Sequence, residues 1–245
     1  MYEKGRSRVS APKIEALFLA LLVRSGEIVS STQLIEEIWG DNPPRRASAA
    51  LHVYISQLRK FLQYEVASPS VIVTRVPGYV LELNGSELDY HIFEGLVGEG
   101  RTQAREGHHE PSAAAFQAAV GMLPGGSLSR YGKGSISGSF HHYLDEMRLE
   151  CLEALAKARL ELGHQRQLIG WLRGLITEYP LHEPLYALLM QSMYRAGRRA
   201  DALATYHTLR DTLGSELGLD PCRALYELHQ EILLSETTLD TYAAA

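Results

Sequence analysis

Between residues 47 and 63, amide, hydroxyl and cationic side chains alternate with an aliphatic stripe. Leu51, Ile55, Leu58 and Leu62 recur at i, i+4, i+7 and i+11, and His52, Ser56, Gln57, Arg59, Lys60 and Gln63 fall between them. The spacing predicts a helix over about Ala47 to Gln63 with one buried face. The polar groups are those that hydrogen-bond base edges and phosphate oxygens, and a helix of this width enters the major groove of B-DNA. A solvated surface helix carries the same pattern, so the helix alone leaves both readings open. Downstream, Ile72-Val73-Thr74-Arg75-Val76-Pro77-Gly78-Tyr79-Val80-Leu81-Glu82-Leu83 reads as a short hairpin with a cation beside its turn. Helix followed by basic hairpin is the outline of a winged DNA reader.

Other chemistries find less support. Gly126 to Ser135 resembles a phosphate loop, but five residues rather than four separate Gly126 from Gly132-Lys133, and Gly134 stands where the magnesium-binding hydroxyl belongs. A flexible loop is the expected reading. The histidine pairs His108-His109 and His141-His142 point about 100° apart on a helix, a poor start for one metal. There is no H-E-x-x-H helix and no G-x-S-x-G elbow, and neither Cys151 nor Cys222 has an evident histidine partner. No catalytic residue, metal or cofactor is therefore expected. Trp171, Tyr186, Tyr194 and Tyr206 fall at helical spacings and are expected to pack between helices.

Composition is that of an ordinary globular chain, 45% hydrophobic and 22% charged. The longest apolar run, Ala16 to Val23, is too short to span a bilayer, and no signal-peptide core opens the chain. With two distant cysteines and no C-x-x-C, a disulfide framework is not indicated, and a cytoplasmic, nucleoid-associated location is expected. The net charge of −5 conceals an asymmetry. Residues 1–80 carry ten Lys/Arg against seven Asp/Glu, and residues 81–245 carry fourteen against twenty-two. Only the first part is expected to touch phosphates.

The elements that must position these residues follow from local signals. Ala11-Pro12 opens a helix through Ile14, Leu17, Phe18, Leu21 and Leu22 that ends before Gly26. Ser30 with Gln33 forms a capping-box signature ahead of a second helix, closed by Gly40 and Asn42-Pro43-Pro44. After Asn84-Gly85 the pattern is helical: Asp89 to Glu106, Pro111 to Gly121, Ser139 to Leu162, His164 to Glu178, Glu183 to Ala196, Arg199 to Leu213 and Pro221 to Leu234. Gly121 to Ser139 is a weak break. Short connections make neighbouring helices antiparallel, and Pro184 to Tyr206 has the small-then-aromatic spacing of tetratricopeptide hairpins. The expected fold is mainly α: a winged helix-turn-helix over residues 1–84, then an all-α, tetratricopeptide-like domain over residues 89–245.

Several stretches, in order, resemble one family. They are Ser10-Ala11-Pro12-Lys13, Leu34 to Pro44, Ala50 to Lys60 and Thr74 to Tyr79 in the first part. In the second they are Leu188-Leu189-Met190, Tyr194 to Arg198, Asp201-Ala202-Leu203 and Glu216 to Pro221. The chain is similar to the bacterial SARP-type antibiotic regulatory proteins, which join an OmpR-like winged helix-turn-helix to a bacterial transcriptional activator domain. The resemblance covers nearly the whole chain. It implies an activator of secondary-metabolite clusters that binds direct repeats beside the −35 element as a head-to-tail pair. It also implies recruitment of RNA polymerase through sigma factor. Gln57 and Arg59 stand where that family's recognition helix meets DNA, and Arg75 at the wing position from which a cation enters the minor groove. Gln57 is expected to read adenine. Arg45, Arg46 and Ser48 lie where free helix N–H groups favour phosphate, and Trp39, Tyr54 and Lys60 are candidates for further backbone contacts. The two aromatics are equally core candidates, and the two arginines equally solvated loop charges.

The chain departs from this family in two places. Relatives begin with several short strands against the first helix, whereas only about ten residues precede it here, so an N-terminal sheet is expected to be missing or reduced to Tyr2 to Val9. Gly121 to Gly126 replaces a tryptophan-bearing motif. The chain ends after the helical region, so the ATPase domain of larger relatives is expected to be absent. A second reading is a helical-repeat adaptor whose winged fold binds only protein; loss of DNA affinity in Arg75→Ala separates the two.

Overall fold

A computed structural model describes residues 11–66, 71–83, 85, 88–123 and 134–235. Contacts divide the chain into two compact units, residues 1–92 with 122–148 and residues 93–121 with 149–245.

In the first unit, α1 (Pro12–Val23) starts with proline in its first turn, where Ala11 O accepts from the backbone N–H of Ile14 and Glu15. α2 (Ser31–Trp39) carries the expected capping box: Ser30 Oγ accepts from Gln33 N–H at 3.2 Å, and Gln33 Oε1 accepts from Ser30 N–H at 3.0 Å. α3 (Ala47–Val66) follows the loop after Gly40. Its aliphatic stripe is buried as the spacing required, with Leu51, Ile55 and Leu58 at most 1% exposed, and packs with Leu17, Leu21 and Leu34 into one core. Each such side chain contributes roughly 1.5–3 kcal/mol.

The hairpin forms from β2 (Ile72–Arg75) and β3 (Gly78–Leu81), with Thr74 opposite Tyr79 and Arg75 opposite Gly78. The sequence pattern did not indicate a third strand. β1 (Val29–Ser30) pairs antiparallel with β3, giving the order β1-β3-β2 and burying β3 along its length. Two residues are too few for a periodicity to register.

Glu37, on α2, is a buried acid whose neighbours explain it. Its carboxylate accepts from the backbone N–H of Ile136 at 2.8 Å and of Ser137 at 3.0 Å, and from the Ser137 hydroxyl. Those are the first, otherwise unpaired donors of α6 (Ser135–Glu161). The helix consequently begins at Ser135, not Ser139 as the Gly/Ser-rich composition suggested. Gly134 has no room for a side chain, since a Cβ there would lie 2.1 Å from the Glu37 carboxyl carbon. The phosphate-loop look-alike and the possible strand from Tyr2 to Val9 fall largely or wholly outside the described residues.

The second unit is helical among its described residues. α4 (Asp89–Arg105) and α6 each contribute to both units, and α5 (His109–Met122), α7 (Gln165–Glu178), α8 (Glu183–Arg195), α9 (Arg199–Leu217) and α10 (Arg223–Leu234) complete the array. Its core runs from Leu152 through Leu172, Leu189, Met190 and Leu209 to Ile232. Tyr186 and Tyr206 are buried in it and Trp171 packs against it, whereas Tyr194 is 40% exposed. Charged side chains close helix ends: Glu183 accepts from Cys222 N–H at the start of α10, and Arg199 donates to the carbonyls of Ile232 and Leu233 at its end. Among the described residues no helix is long and apolar enough to cross a membrane.

A methyl group on Gly78 would lie 1.8 Å from Val29 O and 2.7 Å from Ser30 Cα, both backbone atoms. Gly78→Ala should therefore lower unfolding free energy by about 2–3 kcal/mol in urea melts followed by circular dichroism. Ser30→Ala should lose about 1 kcal/mol through its cap. An unaltered midpoint in Gly78→Ala would mean that β1 need not touch β3.

Candidate nucleic-acid interface

The exposed side of α3 is narrower than the polar residue list suggested. Val53, Ser56, Gln57 and Lys60 are exposed and recur at i, i+3, i+4 and i+7, opposite the aliphatic stripe. An amide, a hydroxyl, an ammonium and an apolar contact surface thus stand on one helical face, a set suited to base edges, phosphate and the thymine methyl. Val53, 52% exposed, went unnoticed because a valine in a helix reads as core.

The two flanks of α3 are engaged within the protein. Arg59 is half-buried and reaches the wing: its Nε donates to Ile72 O at 2.9 Å, its Nη2 donates to Thr74 Oγ1 at 2.9 Å, and its guanidinium lies 6.0 Å from the Tyr79 ring centroid. His52, although exposed, has Nδ1 3.2 Å from the Tyr79 hydroxyl. On the other flank, Tyr54 stacks on Trp39 at 5.7 Å between centroids, and Lys13 Nζ lies 5.4 Å over the indole. Both aromatics are half-buried, so each presents an edge while packing against the other. Lys13 thereby joins this surface.

The wing is fixed at its turn as well as its flank. Pro77 O accepts from both the backbone N–H and the hydroxyl of Ser31, at 3.1 and 3.2 Å, which ties the turn to the start of α2. Arg75 projects beside the turn with its side chain 60% exposed and lies 3.6 Å from Glu82. So exposed a pair contributes little, and a phosphate or narrow groove can compete for the cation. Val76 at the tip is 93% exposed, an apolar contact hidden by its place among strand formers. Arg45 and Arg46 are exposed just before α3 and Ser48 is exposed in its first turn, where the free N–H groups of the helix add to the positive field.

Elsewhere among the described residues, the cysteine and metal-ligating side chains offer no competing reactive centre. Burial, with Glu150 adding to it, pushes the Cys151 thiol up to about 11, so it is protonated at neutral pH. Among the described residues no three His, Cys, Asp or Glu side chains are grouped to hold a metal.

With this geometry in place, comparison with known proteins is informative. Residues 8–81 match the family described as transcriptional regulatory protein, C terminal, and residues 88–233 match the bacterial transcriptional activator domain. The chain is 31% identical to regulatory protein DnrI of Streptomyces peucetius, over 94% of this chain and 87% of that protein. It is 33% identical to regulatory protein AfsR of Streptomyces griseus, over 94% of this chain but only 23% of AfsR. In three dimensions it resembles EmbR of Mycobacterium tuberculosis, solved in complex with a low-affinity phosphopeptide. The TM-score is 0.86 at 29% identity, over 93% of this chain and 60% of EmbR.

Arg59→Lys keeps the charge but cannot span Ile72 O and Thr74 Oγ1 with one fork. Faster amide exchange across residues 72–75 is expected in Arg59→Lys, with a loss of about 1 kcal/mol in stability, and a smaller change in Thr74→Val. Unchanged exchange in both variants would free Arg59 from a role in holding the wing.

Proposed function

The chain belongs to the SARP family of transcriptional regulators, and from that premise we propose that it is a sequence-specific DNA-binding activator of a secondary-metabolite gene cluster. It reads direct repeats beside a −35 element and recruits RNA polymerase through sigma factor. The observation that carries this reading is the stripe of Val53, Ser56, Gln57 and Lys60, exposed on one face of α3 beside an anchored wing bearing Arg75.

α3 lies in the major groove with Gln57 donating to adenine N7 and accepting from its N6 amino group. Lys60, Arg45, Arg46 and Ser48 neutralise or hydrogen-bond phosphates on either side, and Trp39 and Tyr54 extend that contact along the backbone. Arg75 enters the adjacent minor groove, with Val76 against the sugars. His52 and Arg59 act chiefly through the wing: they hold β2 and β3 at the angle that lets both grooves be read together. The domain boundaries are those of residues 1–84 for DNA binding and 89–245 for activation, and the work is cytoplasmic, on the nucleoid.

Direct repeats impose a head-to-tail arrangement, because each protomer must face the same way along the duplex. Repeat centres one helical turn apart, roughly 34 Å, put both α3 helices on one side of the DNA. The acidic excess after residue 80 keeps the second unit off phosphate and available to protein.

Gel shifts over a salt series, on duplexes with one or two copies of a selected repeat, provide the test. Affinity should fall steeply with salt, rise with the second copy and drop at least tenfold in Arg75→Ala. Shallow salt dependence, or an Arg75→Ala variant that binds like wild type, would favour the adaptor reading. In a randomised-site selection, Gln57→Arg should change one preferred adenine to guanine; an unchanged consensus would sink the assignment of Gln57 to a base.

A further inference from the structure

Away from the DNA-reading surface, the second unit carries two hollows that meet at Lys157 of α6. One, of about 520 Å3, lies against α4 and α5, and Ala104, Phe116, Ala154 and Ala158 give it apolar walls. The other, of about 340 Å3, lies against α8 and α10, with Ala187, Leu188, Leu225 and Leu228 in its walls. Lys157 lines both, so one cation marks the place where two apolar hollows join.

The charges around these hollows are unevenly committed. Glu150 accepts from both arms of the Arg101 fork at 2.8 and 2.7 Å, Glu161 accepts from Arg195 at 3.0 Å, and Glu183 accepts from Cys222 N–H at 2.6 Å. Lys157 is held more loosely. Its side chain is 64% exposed and lies 3.5 Å from Glu153, a carboxylate that also stands 2.7 Å from His182 Nε2. So exposed a pair contributes little and yields readily to a better-placed carboxylate. Arg105, in the lining of the larger hollow, donates to neutral oxygens, the Arg101 carbonyl at 3.4 Å and the Thr102 hydroxyl at 3.1 Å. Cations are therefore the charges still available to a partner. The region after residue 80 has an acidic excess, but charges more than about 8 Å apart are largely screened at physiological salt, so the local lysine decides. Gln191 adds to the smaller hollow a carboxamide, which can both donate to and accept from a peptide backbone.

We propose that this surface binds an extended segment of a partner protein in which a carboxylate stands between two apolar side chains. The carboxylate pairs with Lys157, one apolar side chain enters each hollow, and Gln191 bonds the backbone of the segment. Alternate side chains of an extended chain share one side, so groups at i, i+2 and i+4 face the same surface over about 13 Å. That reach is comparable with the width of a helix and its side chains, roughly 10–12 Å, and so suits hollows that share a residue of α6. The surface is independent of the DNA-binding reading, since all of its residues lie in the second unit.

The test uses the full chain, at physiological salt, and three acetylated and amidated peptides: Leu-Ser-Asp-Ser-Leu and its counterparts with Asn or Lys in place of Asp, titrated by 15N-resolved NMR. The Asp peptide should saturate one site, with shifts at the amides of Ala104, Lys157 and Ala187. It should bind about three- to fivefold tighter than the Asn peptide, with the Lys peptide weakest. Lys157→Met should remove the preference for Asp while leaving binding of the Asn peptide unchanged. Ala104→Phe and Ala224→Phe, each at an exposed helical position lining one hollow, should each weaken the Asp peptide about tenfold. Equal affinity for the three peptides, or a preference for Asp that survives Lys157→Met, would overturn the proposal. So would weakening by only one of the two phenylalanines, which would confine the peptide to a single hollow. Absence of saturable binding would also overturn it, as would binding seen only in a chain ending at Ser235, which would assign the hollows to the last ten residues of the chain itself.

Discussion

Two backbones meet with nothing between them where Gly78 faces Val29 and Ser30, and the DNA-reading half of the molecule depends on that approach. Because no side chain intervenes, a two-residue strand suffices to place β3 at the centre of the sheet and to bury it along its length. The turn that follows from this placement brings Pro77 O onto Ser31, and the neighbouring strand onto Arg59. Wing, α2 and α3 are thereby referred to one frame. The proposed reading of two grooves at once needs such a frame, since an error in wing angle would displace the tip from its groove while α3 stayed in register.

α3 divides its circumference among three tasks. Leu51, Ile55, Leu58 and Leu62 are packed; Val53, Ser56, Gln57 and Lys60 face outward; His52 and Arg59 hold the wing on one flank while Tyr54 meets Trp39 on the other. Residue type alone does not separate the last two classes. Arginine and histidine on a polar helix face look like DNA contacts, and here Arg59 Nε and Nη2 and His52 Nδ1 are engaged by Ile72, Thr74 and Tyr79. Guanidinium suits this task because its fixed fork spans a backbone carbonyl and a hydroxyl together.

What could be read in the sequence is what is decided within a few residues. The capping box of Ser30 and Gln33, the proline start of α1, the aliphatic stripe of α3, the hairpin and the order of the later helices rest on local spacing, and the structure carries each of them. What escaped reading depends on partners far apart in the chain. Ser31 and Pro77 are 46 positions apart, and Glu37 lies about a hundred positions from the helix it caps. The early start of α6 belongs to the same class, because its first N–H groups are satisfied from α2. On the outward face the obstacle was different. Val53 and Val76 were hidden by their chemistry, since nothing in a valine announces that the fold leaves it in solvent.

The clamped ends of α10 have a consequence for how the second unit comes apart. A stack of helices in which each touches only its neighbours tends to fray one helix at a time from the outside. α10 is held at its start by Glu183 of α8 and at its finish by Arg199 of α9, so releasing it breaks charge-assisted bonds to two helices at once. Its opening is thereby tied to theirs. The unit consequently opens in larger cooperative blocks than its repeat-like build implies, and amides of α8, α9 and α10 share one protection against exchange instead of a gradient towards the edge.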